Sequence, residues 1–106
     1  MNVTIDQHVD LSGEWIGYYP GHFDECINIS QSGDEVEALK ITGDDYVPAG
    51  VITWRANLRT GKGLGQIAEH EFRNPRFVPG KLRVLNSDRI VFTWENYGEV
   101  EFRKDD

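Results

Sequence analysis

The chain has 106 residues, 39% of them hydrophobic and 11% aromatic, which is enough for one domain with a core and too much for a disordered segment. Its formal charge of −7 argues against nucleic acid and against anionic membrane surfaces, because both would be repelled. Cys26 is the only cysteine, so no internal disulfide forms and a reducing compartment is the simplest inference. The opening Met1 to Asp6 holds no basic stretch followed by an apolar run, and no segment reaches transmembrane length. The expectation is a cytoplasmic protein.

In chain order, residues 1–10 read as a polar N-terminal extension and residues 11–106 as a single domain. Leu11 to Tyr19 reads as the first strand, with Trp15 and two glycines on one face. Phe23 to Gln31 and Glu35 to Thr42 follow around a Ser32-Gly33-Asp34 turn. Val51 to Arg59 has the cleanest alternation, with Ile52, Trp54, Ala56 and Leu58 pointing one way. Thr60 to Gly63 reads as a turn and Leu64 to Phe72 as a strand. Asn74-Pro75 and Pro79-Gly80 bracket a connecting stretch. Lys81 to Leu85, Arg89 to Glu95 and Glu99 to Arg103 complete the set. Eight short strands at regular spacing, with no helical period, predict an all-β fold, a single small antiparallel barrel of lipocalin-like appearance. Trp15, Trp54 and Trp94 are its expected core.

The segment from Lys40 to Gly50 is longer than a hairpin needs. Gly43 and Gly50 offer positions for positive φ, and Pro48 biases Val47 toward extended backbone. Asp44 and Asp45 have two readings. They are turn residues that bond nearby backbone, or acceptors at a barrel mouth that select N–H donors. His70 with His22 and Asp24 lacks the spacing of a metal site, and no metal or other cofactor is expected. Cys26 has no recognisable catalytic partner, and the glycines from Gly61 to Gly65 precede a strand, not the helix a phosphate loop requires. No catalytic set is found, so the chain reads as a non-enzyme.

Three motifs carry a resemblance. The first is Val36-Glu37-Ala38-Leu39-Lys40-Ile41-Thr42-Gly43-Asp44 with Val47-Pro48-Ala49-Gly50. The second is Gly65-Gln66-Ile67-Ala68, Phe72-Arg73-Asn74-Pro75 and Pro79-Gly80. The third is Gly13-Glu14-Trp15-Ile16-Gly17-Tyr18-Tyr19 leading to Gly21-His22. Together they resemble the β-barrel domain shared by the F-box substrate receptor whose clients include cyclin D and by the chloroplast EXECUTER proteins of singlet-oxygen signalling. The likeness spans roughly residues 11 to 95. No F-box and no long insertions accompany it. Glu71 stands where relatives often have glycine, and Phe77 where EXECUTER-type sequences have tryptophan.

The resemblance implies a binding module for a peptide or protein C-terminus, including ends that carry a terminal amide, or for a small polar ligand. It places Asp44 in the acceptor role. Lys40, Thr42, Tyr46, His70, Asn74 and Arg76, which lie in or beside the matching motifs, join it as expected ligand-binding residues. Two alternatives stand beside this reading. One is a stress-signalling domain of the EXECUTER type, and the other is a small-molecule enzyme with a barrel cavity.

Overall fold

A computed structural model describes residues 9–18 and 24–105. His22, weighed above with His70 as a metal candidate, lies outside the described residues. Eight strands form a closed barrel in which each pairs antiparallel with the next and the last pairs with the first. They are β1 (Gly13–Tyr18), β2 (Glu25–Ser32), β3 (Glu35–Lys40), β4 (Ile52–Asn57), β5 (Lys62–Glu69), β6 (Arg73–Asn86), β7 (Arg89–Trp94) and β8 (Gly98–Lys104). The expected all-β barrel is the observed one. Closure leaves no free edge strand to pair with another chain.

The period-2 pattern places the core as the sequence predicts. Trp15, Ile27, Ile29, Val36, Ala38, Trp54 and Ala56 point inward and are buried. Trp54 stacks on Phe92 with ring centroids 4.8 Å apart and planes 9° from parallel, and Trp94 meets the same Phe92 ring edge-on at 4.9 Å. Space for these rings comes from glycines in the facing wall. A Cβ on Gly65 would strike Trp94 and one on Gly80 would strike Phe92. Adjacent strands therefore alternate large and absent side chains, which lets a narrow barrel hold three packed aromatics.

Four local expectations are corrected. The stretch bracketed by Asn74-Pro75 and Pro79-Gly80 is not a connection: β6 begins at Arg73 and runs through it for 14 residues. Pro75 lies where the β5–β6 register shifts between Ile67 and Glu69, beside an irregular part of the ladder, whereas Pro79 sits opposite Leu64 within the regular pairing. The strand expected to reach Phe72 ends at Glu69, and His70–Phe72 forms a 3₁₀ turn in which Glu71 and Phe72 have φ of 63° and 55°. The turn expected over Thr60 to Gly63 is shorter, since β5 starts at Lys62. Gly50 does adopt positive φ, at 84°, but Gly43 does not; its requirement is space, because a Cβ there would strike the backbone of Ala49.

Candidate functional site

The loop between β3 and β4 is a built structure. Its base is closed by Gly50 N–H donating to Lys40 O at 2.8 Å and Lys40 N–H donating to Val51 O at 2.9 Å. Inside it, Asp44 Oδ1 accepts from the N–H groups of Tyr46 (2.8 Å) and Val47 (2.7 Å). That is the turn chemistry expected of an aspartate here. The other oxygen, Oδ2, accepts from Lys40 Nζ at 2.6 Å. Across the loop, Glu71 N–H donates to Asp45 O at 2.7 Å, which ties the loop to the 3₁₀ turn.

Lys40 is 3% exposed, an unusual state for an ammonium. It is tolerated because two carboxylates flank it, Asp44 and, 2.8 Å away, Glu25 on β2. The Glu25 contact is off the hydrogen-bond direction, so Glu25 Oε1 is held by charge alone. Burial pushes the Glu25 carboxyl up, against the pull of Lys40, and the neighbouring Asp44 adds to the rise. Burial also works to raise Asp44, but Lys40 and the two loop N–H donors outweigh it and hold that carboxyl at about 2. The triad thus pins β2, β3 and the loop together at one end of the barrel.

At that end the wall opens. β4 and β5 pair only over Trp54–Ala56 and Gly63–Gly65, and a bulge between Ala38 and Leu39 displaces Thr53. Beyond the last pair, Gln66 Nε2 reaches across to Ile52 O at 2.6 Å and stands in for the missing ladder. The opening leads into a cavity of about 600 Å³. Its apolar wall includes Ile67, Trp94 and Val100. Glu69, Arg76, Tyr97 and Glu99 supply polar groups, and the loop contributes Asp44, Tyr46 and Val47. The size and the mixture suit a ligand-binding cleft.

Of the seven expected ligand-binding residues, Lys40, Asp44, Tyr46 and Arg76 line this cavity. Thr42 does not: its hydroxyl accepts from Cys26 N–H at 2.9 Å and extends the β2–β3 pairing. His70 stands edge-on to Tyr46 at 6.1 Å, and Asn74, with φ of 49°, offers its carbonyl to Arg76 Nη1 at 3.0 Å. Each touches a lining residue without lining the cavity itself. Sequence reasoning missed the contribution of Trp94, Tyr97 and Glu99. The available signal was Tyr97 at the tip of a short turn, an aromatic 58% exposed. The Gln66-Ile67-Ala68 part of the second motif was visible, but nothing in it announces that β5 parts from β4.

Burial, then the carboxylates of Asp105, Glu14 and Asp24, push the Cys26 thiol up, the opposite of what a nucleophile needs. Among the described residues, no three His, Cys, Asp or Glu side chains gather as metal ligands would. Nor, among the described residues, is any helix long and apolar enough to cross a membrane.

Comparison with known proteins agrees with the motifs. The chain is 36% identical over 112 residues to Protein EXECUTER 2, chloroplastic, of Oryza sativa subsp. japonica, covering 76% of this chain and 18% of that protein. It is 39% identical over 74 residues to Protein EXECUTER 1, chloroplastic, of Arabidopsis thaliana, covering 52% and 11%. The chain therefore spans less than a fifth of the length of the curated relatives it matches. Neither relative carries an enzyme's name. Both are named as chloroplastic, and this overturns the cytoplasmic expectation. An acidic surface and a single cysteine do not distinguish one reducing compartment from another. The family model described as Cyclin D1 binding domain matches residues 4–103, nearly the whole chain, and the protein belongs to that family.

Proposed function

We propose that this domain is a non-enzymatic binding module that holds the end of a protein chain in the cavity at the barrel mouth. The observation that carries the reading is the split between β4 and β5, which opens a cavity of about 600 Å³ onto an apolar wall with polar groups at its rim. The family's name, Cyclin D1 binding domain, supports a protein as the class of ligand.

The finer part of the proposal is recognition of a neutral primary amide. Asp44 already accepts from Lys40, Tyr46 and Val47 and has Glu25 beside it, yet a third of its side chain stays exposed, where an incoming N–H can share the carboxylate. Glu69 also lines the cavity and offers a second acceptor to an amide, which has two N–H donors. Asp44, Glu69 and Glu99 outnumber Lys40 and Arg76 along the lining, so a free terminal carboxylate meets net repulsion there. Because the loop is already closed by its own hydrogen bonds, little ordering entropy opposes binding.

Calorimetry with matched amidated and free-acid peptides tests this. The expected preference for the amide is about tenfold to a hundredfold, the value of one charge-assisted hydrogen bond. Glu69→Gln should lose much of it while leaving the loop intact, a cleaner variant than Asp44→Asn. Equal affinity for the two peptides in the wild type would remove the amide reading, and no binding of either would remove the mouth as the site.

A further inference from the structure

The charge of the chain is distributed unevenly. Residues 52–86, which run from β4 through β6, hold seven of the eleven Lys and Arg residues and two of the eighteen Asp and Glu residues. That part of the wall carries a formal +5 and the remainder of the chain −12. The total of −7 conceals a basic face on an acidic protein.

Side-chain direction on this face follows from the glycines. Gly65 and Gly80 point inward, toward Trp94 and Phe92, so Lys62, Leu64, Pro79 and Lys81 point outward. Lys62 and Lys81 are register partners on neighbouring strands. Like charges directly opposite one another destabilise a sheet. Among the described residues neither forms an ion pair that would offset the repulsion. In the next row, Arg55 pairs with Leu64 and Leu64 with Pro79. One row further, Phe77 is 40% exposed with the Arg55 guanidinium 5.1 Å from its ring centroid. The result is a strip on the outside of the barrel in which unpaired cations flank exposed apolar side chains, with Lys62 and Lys81 four residues along the strands from the Gln66–Phe77 pair at the mouth.

We propose that the outer face of β5 and β6 docks a short, acidic, extended segment of a partner protein. Acidic side chains would meet Lys62 and Lys81 and relieve their repulsion, while an apolar side chain covers Leu64 and Pro79. Rows two residues apart lie about 7 Å from one another, the spacing of same-side residues in an extended peptide. A long polyanion or an anionic bilayer would also meet the −12 remainder of the surface and be repelled, whereas a short segment stays within the basic strip. Leu64 and Pro79 likewise have no work to do against phosphate. This proposal does not rest on the reading of the mouth.

The test is fluorescence anisotropy with a labelled decapeptide rich in Glu and Asp and containing two leucines. A control peptide has Gln and Asn in place of the acids. The acidic peptide should bind, and its affinity should fall as salt is added, while the control should not bind. Lys62→Glu with Lys81→Glu should cost at least about tenfold in affinity. Lys62→Gln with Lys81→Gln should also lose the peptide, yet raise the melting temperature by a few degrees because the cross-strand repulsion is gone. This second pair decides the matter if the charge reversal fails to fold, and it should leave any amide preference at the mouth unchanged. No binding of the acidic peptide, or binding indifferent to both variant pairs, overturns the proposal. So does tighter binding of a single-stranded oligonucleotide or of phosphatidylglycerol vesicles, each of which would reassign the face to another class of partner.

Discussion

The belly of the barrel and its mouth are made of the same strands under opposite rules. In the belly, β4 pairs with β5 residue by residue, Gly65 and Gly80 face the rings of Trp94 and Phe92, and the interior is closed by contact. One residue further along β5, Gln66 replaces a ladder bond with a side-chain amide, and the wall parts. There a buried Lys40 is held between two carboxylates where the belly would have an aliphatic side chain. Packing is specified by volume in the first region and by charge and hydrogen bonding in the second. A binding cleft is cheapest to place where the second set of rules applies, because its groups already tolerate polar company.

The sharpest way to break this comparison is Trp54→Ala. The side chain is fully buried and stacked on Phe92, so truncation should cost about 3–5 kcal/mol in a urea unfolding experiment. A loss under about 1 kcal/mol would place the ring in a region that tolerates exposure. The indole N–H has no hydrogen-bond partner among the described residues, so Trp54→Phe removes an unsatisfied donor along with some volume and should cost well under half as much. Gly65→Ala comes next. The added methyl meets Trp94 and Phe92, and overpacking of this kind costs about 1–3 kcal/mol. A neutral effect would mean that the aromatic stack is free to shift and that volume does not specify the belly.

The belly was legible in the sequence because alternation reports burial directly: Trp54, Ala56, Val36 and Ala38 face inward as their spacing requires. The mouth was legible only in its covalent outline. Asp44 in a glycine-and-proline loop announces a turn, and the turn is there. Its partnership with Glu25 depends on how β2 and β3 pair, which alternation alone does not number. Lys40 continues the inward face of Val36 and Ala38, yet a lysine at such a position reads as a strand end until two carboxylates are known to surround it. The length of β6 was hidden by Pro75 and Pro79, which read as punctuation although Pro79 lies within the ladder. The basic face was hidden by summation, since a net charge has no position.

The smallest expected effect separates the mouth from the belly by its pH dependence. The Asp44 carboxyl sits at about 2, below its ordinary value of 3.8, so the folded protein binds that proton more weakly than the unfolded chain does. Stability from Asp44 is therefore complete above about pH 4 and is lost as the pH falls toward 2. Glu25 runs the other way. Its carboxyl is raised above 4.5, so its contribution is greatest below that value and fades as the pH rises through the raised one. Acidification from neutral pH should first favour the mouth through Glu25 and only later weaken it through Asp44. Asp44→Asn keeps an oxygen for the Tyr46 and Val47 donors but withdraws a charge from Lys40. With the Asp44 side chain a third exposed, screening reduces the expected loss at neutral pH to roughly 1–2 kcal/mol. Urea unfolding of wild type and variant between neutral pH and pH 2 should show a gap that widens as Glu25 takes up its proton, because the variant lacks the charge that adds to the rise of Glu25, and that closes only below about pH 4. A gap that stays open at pH 2 would assign the loss to loop geometry, and the absence of any gap would mean that Glu25 alone suffices to hold Lys40 in the wall. Trp54→Ala, whose cost is one of contact, should carry its deficit unchanged across the same range.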